Sequence, residues 1–410
     1  MIATHTLQNG LQLAVEQIDA AASASIHLLV PAGSMRDTDA TDGIAALFLE
    51  MLFRGTNSLK NKELTHAFDC AGMQRNGSVG ARFLHLTATT TADGVEQAIR
   101  LLLSVVMEPS FPDSQLEASR EGCLQSLAHL ADDPAEEVGF FLRNRHLSRP
   151  FHRSGLGTLD GLTGITTDDL KTRLAECVVP EGSILSVVGG IDAGECLDIV
   201  GRLSGTWAGS AAPAPTSKPA PLGRRLIERP TSQVHLSMAW DAPPAGDKAA
   251  VLERLVCGSL GGTTSGRLFT EVRQRRSLCY SIGTRYIRSP EQGWVSLHAG
   301  TTPEHAEELV QTCLDEIVRI ASDLSRDEIE RTRRSIVSSI ILQGESTRAR
   351  AARLAVDLAH TGSCRSLQMR VAEVEEASTE AVQGHACRYA DLDPTIVAIG
   401  PAGSLPYQSE

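Results

Sequence analysis

The chain has 410 residues, a length at which a single hydrophobic core stops growing, so we expect two domains of about 200 residues each. Apolar residues make up 42% of the composition, which lies in the globular range, and the formal charge at pH 7 is -12. This acidic balance argues against general binding to nucleic acid or to an anionic membrane surface.

Both halves of the chain show the same order of predicted elements: an alternating strand, an apolar helix, a second strand and a long helix pair. The strands and first helices fall at residues 11–15, 43–53 and 82–90 in the first half, and at 234–240, 249–257 and 293–301 in the second. The matching helix pairs lie about 213 residues apart, an offset that indicates a domain duplication. Ser114 and Ser325 are the expected caps of the second helix in each pair.

A segment rich in Pro, Ala and Ser, GSAAPAPTSKPAPL at residues 209–222, separates the two halves and cannot build a core. We therefore predict a first domain at 1–208, a linker at 209–222 and a second domain at 223–410. Because strands are mixed with segregated helices, we predict an α+β fold with mainly antiparallel sheets.

The cysteines and the first residues of the chain predict the cellular compartment of the protein. The nine cysteines are scattered and include no CxxC pair, so we expect free thiols in a reducing environment. The opening stretch MIATHTLQNGLQLAV lacks the basic region and the long apolar region of a signal peptide. No stretch approaches the roughly 18 apolar residues of a membrane span. We expect a cytoplasmic protein without membrane contact.

The apolar helix of the first half reads GIAALFLEMLFRGTNSL from Gly43. Its flanks, residues 43–45 and 51–56, resemble the signature of the M16 metallopeptidase family, GxxHxxEHMxFxGT. Asn76 follows Ala71 and Gly72 where that family has an edge strand with the pattern GG..NA.T. The resemblance covers nearly the whole chain. It implies two homologous domains of the LuxS and mitochondrial-processing-peptidase-like fold, each a mainly antiparallel sheet packed with helices.

The zinc-binding residues of that signature are replaced. In the family, two His at i and i+4 bind zinc from one helix face, and the Glu between them activates the zinc-bound water. Here the first His position is Ala46, the catalytic Glu position is Leu49 and the second His position is Glu50. The distal Glu position should fall near Leu127 or Ala128, and residues 122–131 contain no Asp or Glu. The resemblance therefore implies a chain with no catalytic residue, metal or cofactor of its own.

Glu50 permits two interpretations. It is either a border residue of the helix, paired with Arg54 at i+4, or part of a replacement metal site that His129 approaches. A lone His in an apolar run is more often a satisfied core or surface residue than a ligand, which favours the first interpretation.

The second half contains LGGTTSGRLFTEVRQRRSLCYSIG at residues 260–283. This segment resembles the family segment GG..SRLF.ELRE..GLAYS, in which an Arg and a Tyr seven residues apart reach the substrate held at the zinc of another domain. The matching residues are Arg273 and Tyr280. A guanidinium and a phenol suit a peptide carbonyl and the oxyanion that develops on it. Alternatively, Arg273 is a solvated helix residue and Tyr280 a half-buried strand residue.

Other residues of this segment have simpler expectations. Arg275 and Arg276 should be solvated, and Arg267 should have a structural role at the start of the helix. The glycine-rich turn at 258–266 lacks the GxxxxGK[ST] pattern of a phosphate loop, so we expect a loop that contacts substrate or partner. The non-catalytic subunit of the mitochondrial enzyme has a glycine-rich loop at this place.

The resemblance implies a function shared with a second chain. The leading hypothesis is a non-catalytic, substrate-binding subunit of a heterodimeric zinc metallopeptidase in which four homologous domains enclose a chamber. The expected partner is a homologous M16 subunit with an intact HxxEH motif, which would hold the zinc, and the expected substrate is a peptide. The alternatives are a structural subunit, as in the respiratory bc1 complex, and a peptide-binding module without peptidase activity.

Overall fold

The computed structural model describes residues 2–210, 212–213 and 215–407. Met1, residues 408–410 and positions 211 and 214 of the predicted linker therefore lie outside the described residues. The chain forms two compact units, and neither is one continuous stretch. Within the described residues, the first unit comprises 2–129, 148–218 and 343–366, and the second comprises 130–147, 219–342 and 367–407.

The first unit contains a six-stranded sheet. Its strands are β1 (Ile2–Thr6), β2 (Gln12–Gln17), β3 (Ser23–Val30), β4 (Gln74–Val79), β5 (Leu84–Thr91) and β6 (Ile184–Gly189). The spatial order is β1-β2-β6-β3-β5-β4. Neighbouring strands are antiparallel except β2 and β6, which run parallel.

The second unit contains a five-stranded sheet with the same plan. Its strands are β7 (Arg224–Glu228), β8 (Val234–Ala242), β9 (Ser281–Arg288), β10 (Gly293–Thr301) and β11 (Thr395–Gly400). The order β7-β11-β8-β10-β9 repeats the order β2-β6-β3-β5-β4 of the first sheet, including its single parallel pair, here β7 with β11. The predicted α+β fold with mainly antiparallel sheets is confirmed.

The duplicated plan corrects one detail of the sequence comparison. Residues 11–15 and 234–240 were matched as the opening strands of the two halves, but 11–15 fall in β2 and 234–240 in β8, which is the counterpart of β3. The strand that corresponds to β2 is β7, with the sequence RRLIE. Because this segment begins with two arginines, it lacks the alternation of apolar and polar residues that predicts a strand.

Helices cover both sheets. They are α1 (Ile44–Leu52), α2 (Asn61–Cys70), α3 (Val95–Met107), α4 (Asp113–Ala131), α5 (Pro134–His146), α6 (Leu159–Gly164), α7 (Thr167–Cys177), α8 (Ala193–Ser204), α9 (Ala250–Gly261), α10 (Ala306–Asp323), α11 (Arg326–Gly344), α12 (Thr347–Thr361), α13 (Leu367–Glu375) and α14 (Thr379–Ala386). Short 3-10 turns lie at Ser34–Arg36, Asp39–Thr41, Ala92–Gly94, Pro303–His305 and Cys387–Asp391, and a π-helical turn at Phe269–Arg275.

The first sheet is buried on both faces. One face packs against α1, α3 and α8 in the main core of the unit, while α12 covers β3 and β6 on the other face. Leu354 and Leu358 of α12 pack there against Leu29 and Val188 of the sheet. Although α12 comes late in the sequence, it is therefore part of the first unit.

The second sheet repeats this arrangement. One face packs against α9, α10 and α14, and α5 lies on the other face against β8 and β11. Because α5 precedes the predicted linker in the sequence, each unit incorporates one helix from the other half of the chain. The described residues of 209–222 form no helix or strand, apart from an isolated bridge between Lys218 and Arg149.

A buried arginine repeats in the two units. Arg120 on α4 pairs with Glu117 and donates hydrogen bonds to the carbonyls of Leu162 and Ile165. Arg333, 213 residues later on α11, pairs with Glu330 and donates to the carbonyls of Val374 and Ala377. Each guanidinium ties a long helix to the end of a shorter helix and satisfies carbonyls that have no partner within that helix. The equal offset supports the duplication.

The start of α11 also fixes the segment that leads into the π-helical turn. Ser325 caps α11 as predicted, and its hydroxyl and amide both bond Glu328. Ser114 is not a cap, because α4 begins one residue earlier, at Asp113. The buried guanidinium of Arg267 binds Glu328 at 2.7 Å and also Asp323. This pair of contacts confirms the expected structural role of Arg267.

Two further findings concern the cysteines and the apolar character of the helices. All nine cysteines are free thiols. In the described part of the chain, no helix combines the length and the apolar character needed to cross a membrane.

We expect Arg333→Ala to lower the thermal midpoint of unfolding by about 5 °C or more. The substitution leaves buried carbonyls without a donor, which costs on the order of 2–3 kcal/mol, and a domain of this size loses about 2–4 °C per kcal/mol. Arg334→Ala is the matched control, because Arg334 is the exposed neighbour on the same helix. Scanning calorimetry measures the unfolding midpoints of both variants. Equal midpoints would contradict the proposal that the Arg333 guanidinium stabilises the contact between the two helices.

The Arg267–Glu328 pair predicts a pH dependence of stability. Burial would raise the pKa of Glu328, but hydrogen bonds from Arg267 and Ser325 lower it to about 2. Because the folded pKa lies below its ordinary value near 4.5, the contribution is complete above about pH 4.5 and is lost as the pH falls toward 2. The midpoint difference between wild type and Glu328→Gln should therefore shrink between pH 7 and pH 3. A difference that stays constant over this range would show that the ionised pair does not stabilise the fold.

Candidate functional site

The degenerate motif lies on α1, a helix that belongs to the core. Gly43 precedes it with a φ of 112°, a conformation that favours glycine, and its amide donates to the buried carboxylate of Asp37 at 3.2 Å. Most α1 side chains are buried, including Leu49. A Cβ at Gly77 of β4 would lie 2.8 Å from a methyl carbon of Leu49, so the leucine packs directly onto the strand backbone.

The three replaced positions of the motif line one pocket of about 330 Å³ in the first unit. Ala46, Leu49 and Glu50 form its α1 side. The remaining lining comes from β4, α4 and the loop before α6: Ser78, Val79, Gly122, Cys123, Ser126, Ser154, Gly155 and Leu156. Leu127 and Ala128, where the distal Glu position was expected, do not line the pocket. The α4 residues that line it are Gly122, Cys123 and Ser126 instead.

The donor atoms in this pocket do not fit zinc, which takes about four ligands from Cys, His, Asp or Glu. Glu50 is 52% exposed and forms the predicted ion pair with Arg54, at 3.5 Å. Burial, together with the nearby Glu50 charge, raises the pKa of the Cys123 thiol to about 11, which disfavours the thiolate that a metal requires. No histidine lines the pocket, and His129 lies exposed in the last turn of α4.

A wider search gives the same result. Among the residues that the structure describes, no group of three or more His, Cys, Asp and Glu side chains is arranged to hold a metal ion. No catalytic step can be assigned to this pocket from its own side chains.

The structure brings Arg273 and Tyr280 together in the second unit. The Arg273 guanidinium lies 4.8 Å from the centre of the Tyr280 ring and 4.7 Å from that of Phe269, so it is stacked between two aromatic rings. Each contact of this type contributes about 0.5–1 kcal/mol at an exposed site. Tyr280 is 84% exposed, which excludes the alternative of a half-buried strand tyrosine.

The backbone explains how the two side chains meet. The π-helical turn ends at Arg275, and Ser277 reverses the chain with a left-handed φ of 56°. The buried side chains of Leu278 and Cys279 then anchor the chain just before β9. Single π-helical turns are frequent at functional sites.

The charges around this turn single out Arg273. Glu271 binds Arg275 at 2.9 Å and Arg276 at 3.1 Å, and these hydrogen bonds, that of Arg276 first, hold the pKa of Glu271 below its ordinary value. Arg275 and Arg276 are exposed, as predicted, but each has this carboxylate partner. Arg273 forms no ion pair with any carboxylate of the described residues. Its positive charge is therefore available to a ligand.

The glycine-rich turn has a simple structure. Residues 262–266 connect α9 to the π-helical turn, the Gly266 amide donates to the Thr263 carbonyl at 2.9 Å, and the Thr263 and Ser265 hydroxyls lie 3.2 Å apart. These contacts close the turn on itself and leave its residues largely accessible.

A second pocket, of about 440 Å³, begins beside Tyr280 in the second unit. His235, His298 and His305 line it. These residues are separated in the sequence and belong to no motif, so their convergence depends on the strand register of β8 and β10, which sequence does not reveal.

Comparison with known proteins agrees with the fold and the motifs. The family model described as "Insulinase (Peptidase family M16)" matches residues 12–153, and the one described as "Peptidase M16 inactive domain" matches residues 164–336. The chain is 23% identical to "Uncharacterized zinc protease YmxG" of Bacillus subtilis, over 99% of this chain and 100% of that protein. It is 26% identical to an uncharacterized zinc protease of Mycobacterium leprae, over 97% of this chain and 92% of that protein.

Two solved structures share the whole fold. The peptidase M16 inactive domain from Pseudomonas fluorescens superposes with a TM-score of 0.88 at 20% identity and covers 98% of both chains. A protease from Helicobacter pylori superposes with a TM-score of 0.86 at 17% identity, over 98% of this chain and 99% of that one. With two M16 family models matched in succession along one duplicated fold, the chain belongs to the M16 peptidase family.

Proposed function

We propose that this chain is the non-catalytic, substrate-binding subunit of a two-chain zinc metallopeptidase. The observation that carries the proposal is the Arg273 guanidinium, held between Phe269 and Tyr280 and left without a carboxylate partner among the described residues. In the same chain, the pocket at the zinc-motif positions has lost its metal ligands. These two observations support a chain that supplies one half of a peptidase active site and depends on a partner for the other half.

The chemistry of Arg273 and Tyr280 suits a peptide bond under attack. A guanidinium carries a permanent positive charge and donates several hydrogen bonds, and stacking on two rings restricts its orientation. The Tyr280 hydroxyl is exposed and has no hydrogen-bond partner among the described residues, so it can donate to a ligand. Donors aimed at the developing oxyanion stabilise the transition state more than the substrate.

The first unit offers a second contact for a peptide. β4 is the outermost strand of its sheet and carries Asn76, the residue that corresponds to the edge strand of the family. An outermost strand presents backbone amides and carbonyls to which an extended peptide can add as a further strand. This contact selects extended chains over folded proteins.

The proposal assigns the zinc to a partner. We propose a homologous M16 subunit with an intact HxxEH motif, in which zinc would activate the attacking water. The nine free thiols support a reducing, cytoplasmic location for the complex. A peptide-binding module without peptidase activity would use the same Arg273 and the same edge strand, so the partner experiment separates the two functions.

Arg273→Ala is expected to lower kcat/KM of the assembled complex by about 10²- to 10³-fold, the loss that follows removal of an oxyanion donor. Tyr280→Phe removes only the hydroxyl and should lower kcat/KM in the same direction. Arg275→Ala is the matched control, because Arg275 lies on the same turn, is 67% exposed and already has Glu271 as its partner. Steady-state kinetics with a peptide substrate decides the matter, and unchanged values for both Arg273→Ala and Tyr280→Phe would refute their assigned role.

Affinity purification of the tagged chain is expected to recover an HxxEH peptidase of similar length. Zinc analysis by mass spectrometry should find about one zinc per complex and far less than one per isolated chain, because the pocket at Glu50 lacks ligands. Stoichiometric zinc on the isolated chain, together with peptide cleavage by it, would overturn the proposal. Recovery of peptide-binding chain with no peptidase partner would favour the binding module.

A further inference from the structure

The pocket beside Tyr280, which we call the histidine pocket, lies within the second unit at the ends of three strands. Its volume of about 440 Å³ is within the range of roughly 300–1,000 Å³ that small-ligand sites occupy. His235 of β8, His298 of β10 and His305 provide its imidazoles, and Tyr280 lies at its edge. Apolar side chains come from α5: Ala135 and Val138.

The strand register creates the hollow. On the face of β10 that points away from the main core of the unit, Gly300 pairs with His235 of β8, and His298 pairs with Gly283 of β9. Paired residues of antiparallel strands project from the same face, so two glycines alternate with two histidines. A glycine contributes no side chain, and the space it leaves lies beside an imidazole. A Cβ at Gly300 would meet only the His235 ring within 4 Å, at 3.8 Å.

Several polar side chains of the histidine pocket have no hydrogen-bond partner among the described residues, although the Thr301 hydroxyl donates to the Leu278 carbonyl. None of the three imidazoles makes a hydrogen bond to another described residue, and the same holds for the hydroxyls of Ser277, Ser281 and Tyr280. A neutral imidazole offers one donor and one acceptor, and both remain available here. Neither Asp, Glu, Lys nor Arg lines the pocket.

Burial keeps two of the imidazoles neutral. Burial lowers the pKa of His298, and burial also lowers that of His235 against the opposing effect of Asp133. Both imidazoles are therefore neutral near pH 7 and can take up a proton when an anion approaches.

The other titratable groups around the histidine pocket are few. Glu304 adjoins His305, and the buried Cys279 thiol has its pKa raised to about 11, so it stays neutral. Arg273, stacked on Tyr280 at the edge, supplies a positive charge that no described carboxylate neutralises.

We propose that the histidine pocket binds a carboxylate group carried by an apolar body. The imidazoles and hydroxyls receive the carboxylate, and the apolar side chains contact the body that carries it. Two sources share this chemistry, the C-terminal carboxylate of a peptide and the side chain of an internal Asp or Glu. The choice of a peptide as the source rests on the proposed function, whereas the carboxylate preference rests on the pocket.

Matched small probes test this preference on the isolated full-length chain. N-acetyl-leucine and N-acetyl-leucinamide differ only in the carboxylate, and N-acetyl-glutamic acid α-amide represents the side-chain source. In a saturation-transfer NMR titration, N-acetyl-leucine should bind about tenfold or more tightly than its amide, as expected for a charge-assisted hydrogen bond. Its affinity should increase from pH 8 to pH 6, because binding takes up a proton on an imidazole. Whichever of the two acids binds more tightly identifies the source.

Two variants locate the binding. Gly300→Val places methyl groups in the hollow without displacing backbone and should abolish the preference for the acid. His298→Gln keeps a hydrogen-bonding group but removes the titration, so it should weaken the acid about tenfold and reduce the pH dependence. His5→Gln, at an exposed histidine of β1, is the matched control and should bind like wild type. Calorimetric midpoints verify that each variant is folded.

Equal binding of acid and amide, or undetectable binding of both acids, would overturn the carboxylate site. Binding that persists unchanged in folded Gly300→Val would place the ligand elsewhere and overturn it as well. These outcomes leave the proposed function untouched, because the titration needs neither the partner nor catalysis. Conversely, if the affinity purification recovers no peptidase partner, a positive titration would still support the carboxylate site.

Discussion

Each of the two sheets must bury both of its faces, and the rest of the structure depends on this requirement. A sheet packed on one side by the helices of its own half still presents apolar side chains on the other side, and fully burying each Leu or Val there is worth about 1.5–3 kcal/mol. In the first unit, Leu29 and Val188 obtain this burial from α12. In the second unit, α5 provides it for β8 and β11. Each half of the sequence therefore contributes a helix to the other unit, and neither half contains a complete set of packing partners.

The helix α1 is likewise held in the fold by its apolar side chains. α1 contributes Ile44, Leu47, Phe48 and Met51 to the core, and these residues are independent of the metal. Leu49, at the position of the catalytic Glu in the family motif, packs apolar atoms onto β4 where a charged group would have to be desolvated. Glu50 is the carboxylate that remains at the motif positions, and it lies at the exposed edge of the helix, where Arg54 is enough to pair it.

Sequence predicted the features that depend on local periodicity. The fixed spacing of a helix brought Ala46, Leu49 and Glu50 to one pocket, and seven residues of helix end and turn brought Arg273 to Tyr280. The distal position was harder, because counting residues cannot fix the rotation of α4. The helix presents Gly122, Cys123 and Ser126 to the pocket rather than Leu127 or Ala128.

Features that depend on pairing between distant segments could not be predicted from the sequence. No sequence pattern predicts the exchange of α5 and α12, because it depends on which sheet each helix packs against. The histidine pocket depends on the register that places Gly300 beside His235, 65 positions earlier in the chain. A one-residue slip in that register would turn the imidazoles toward the main core, so the site exists only as a consequence of the whole sheet.

Electrostatics distinguishes Arg273 from the other charges on its surface. Three arginines lie within four residues, and Glu271 binds two of them, so the local charge is largely balanced except at Arg273. An isolated exposed arginine would adopt many rotamers, and ordering it on binding would cost free energy. Because Arg273 stacks between Phe269 and Tyr280, the free-energy cost of ordering its side chain arises during folding and not on binding. The guanidinium is therefore both ordered and without an ion-pair partner before any ligand binds. A surface residue that only stabilises the fold does not need this combination, whereas a preorganised electrostatic group needs it.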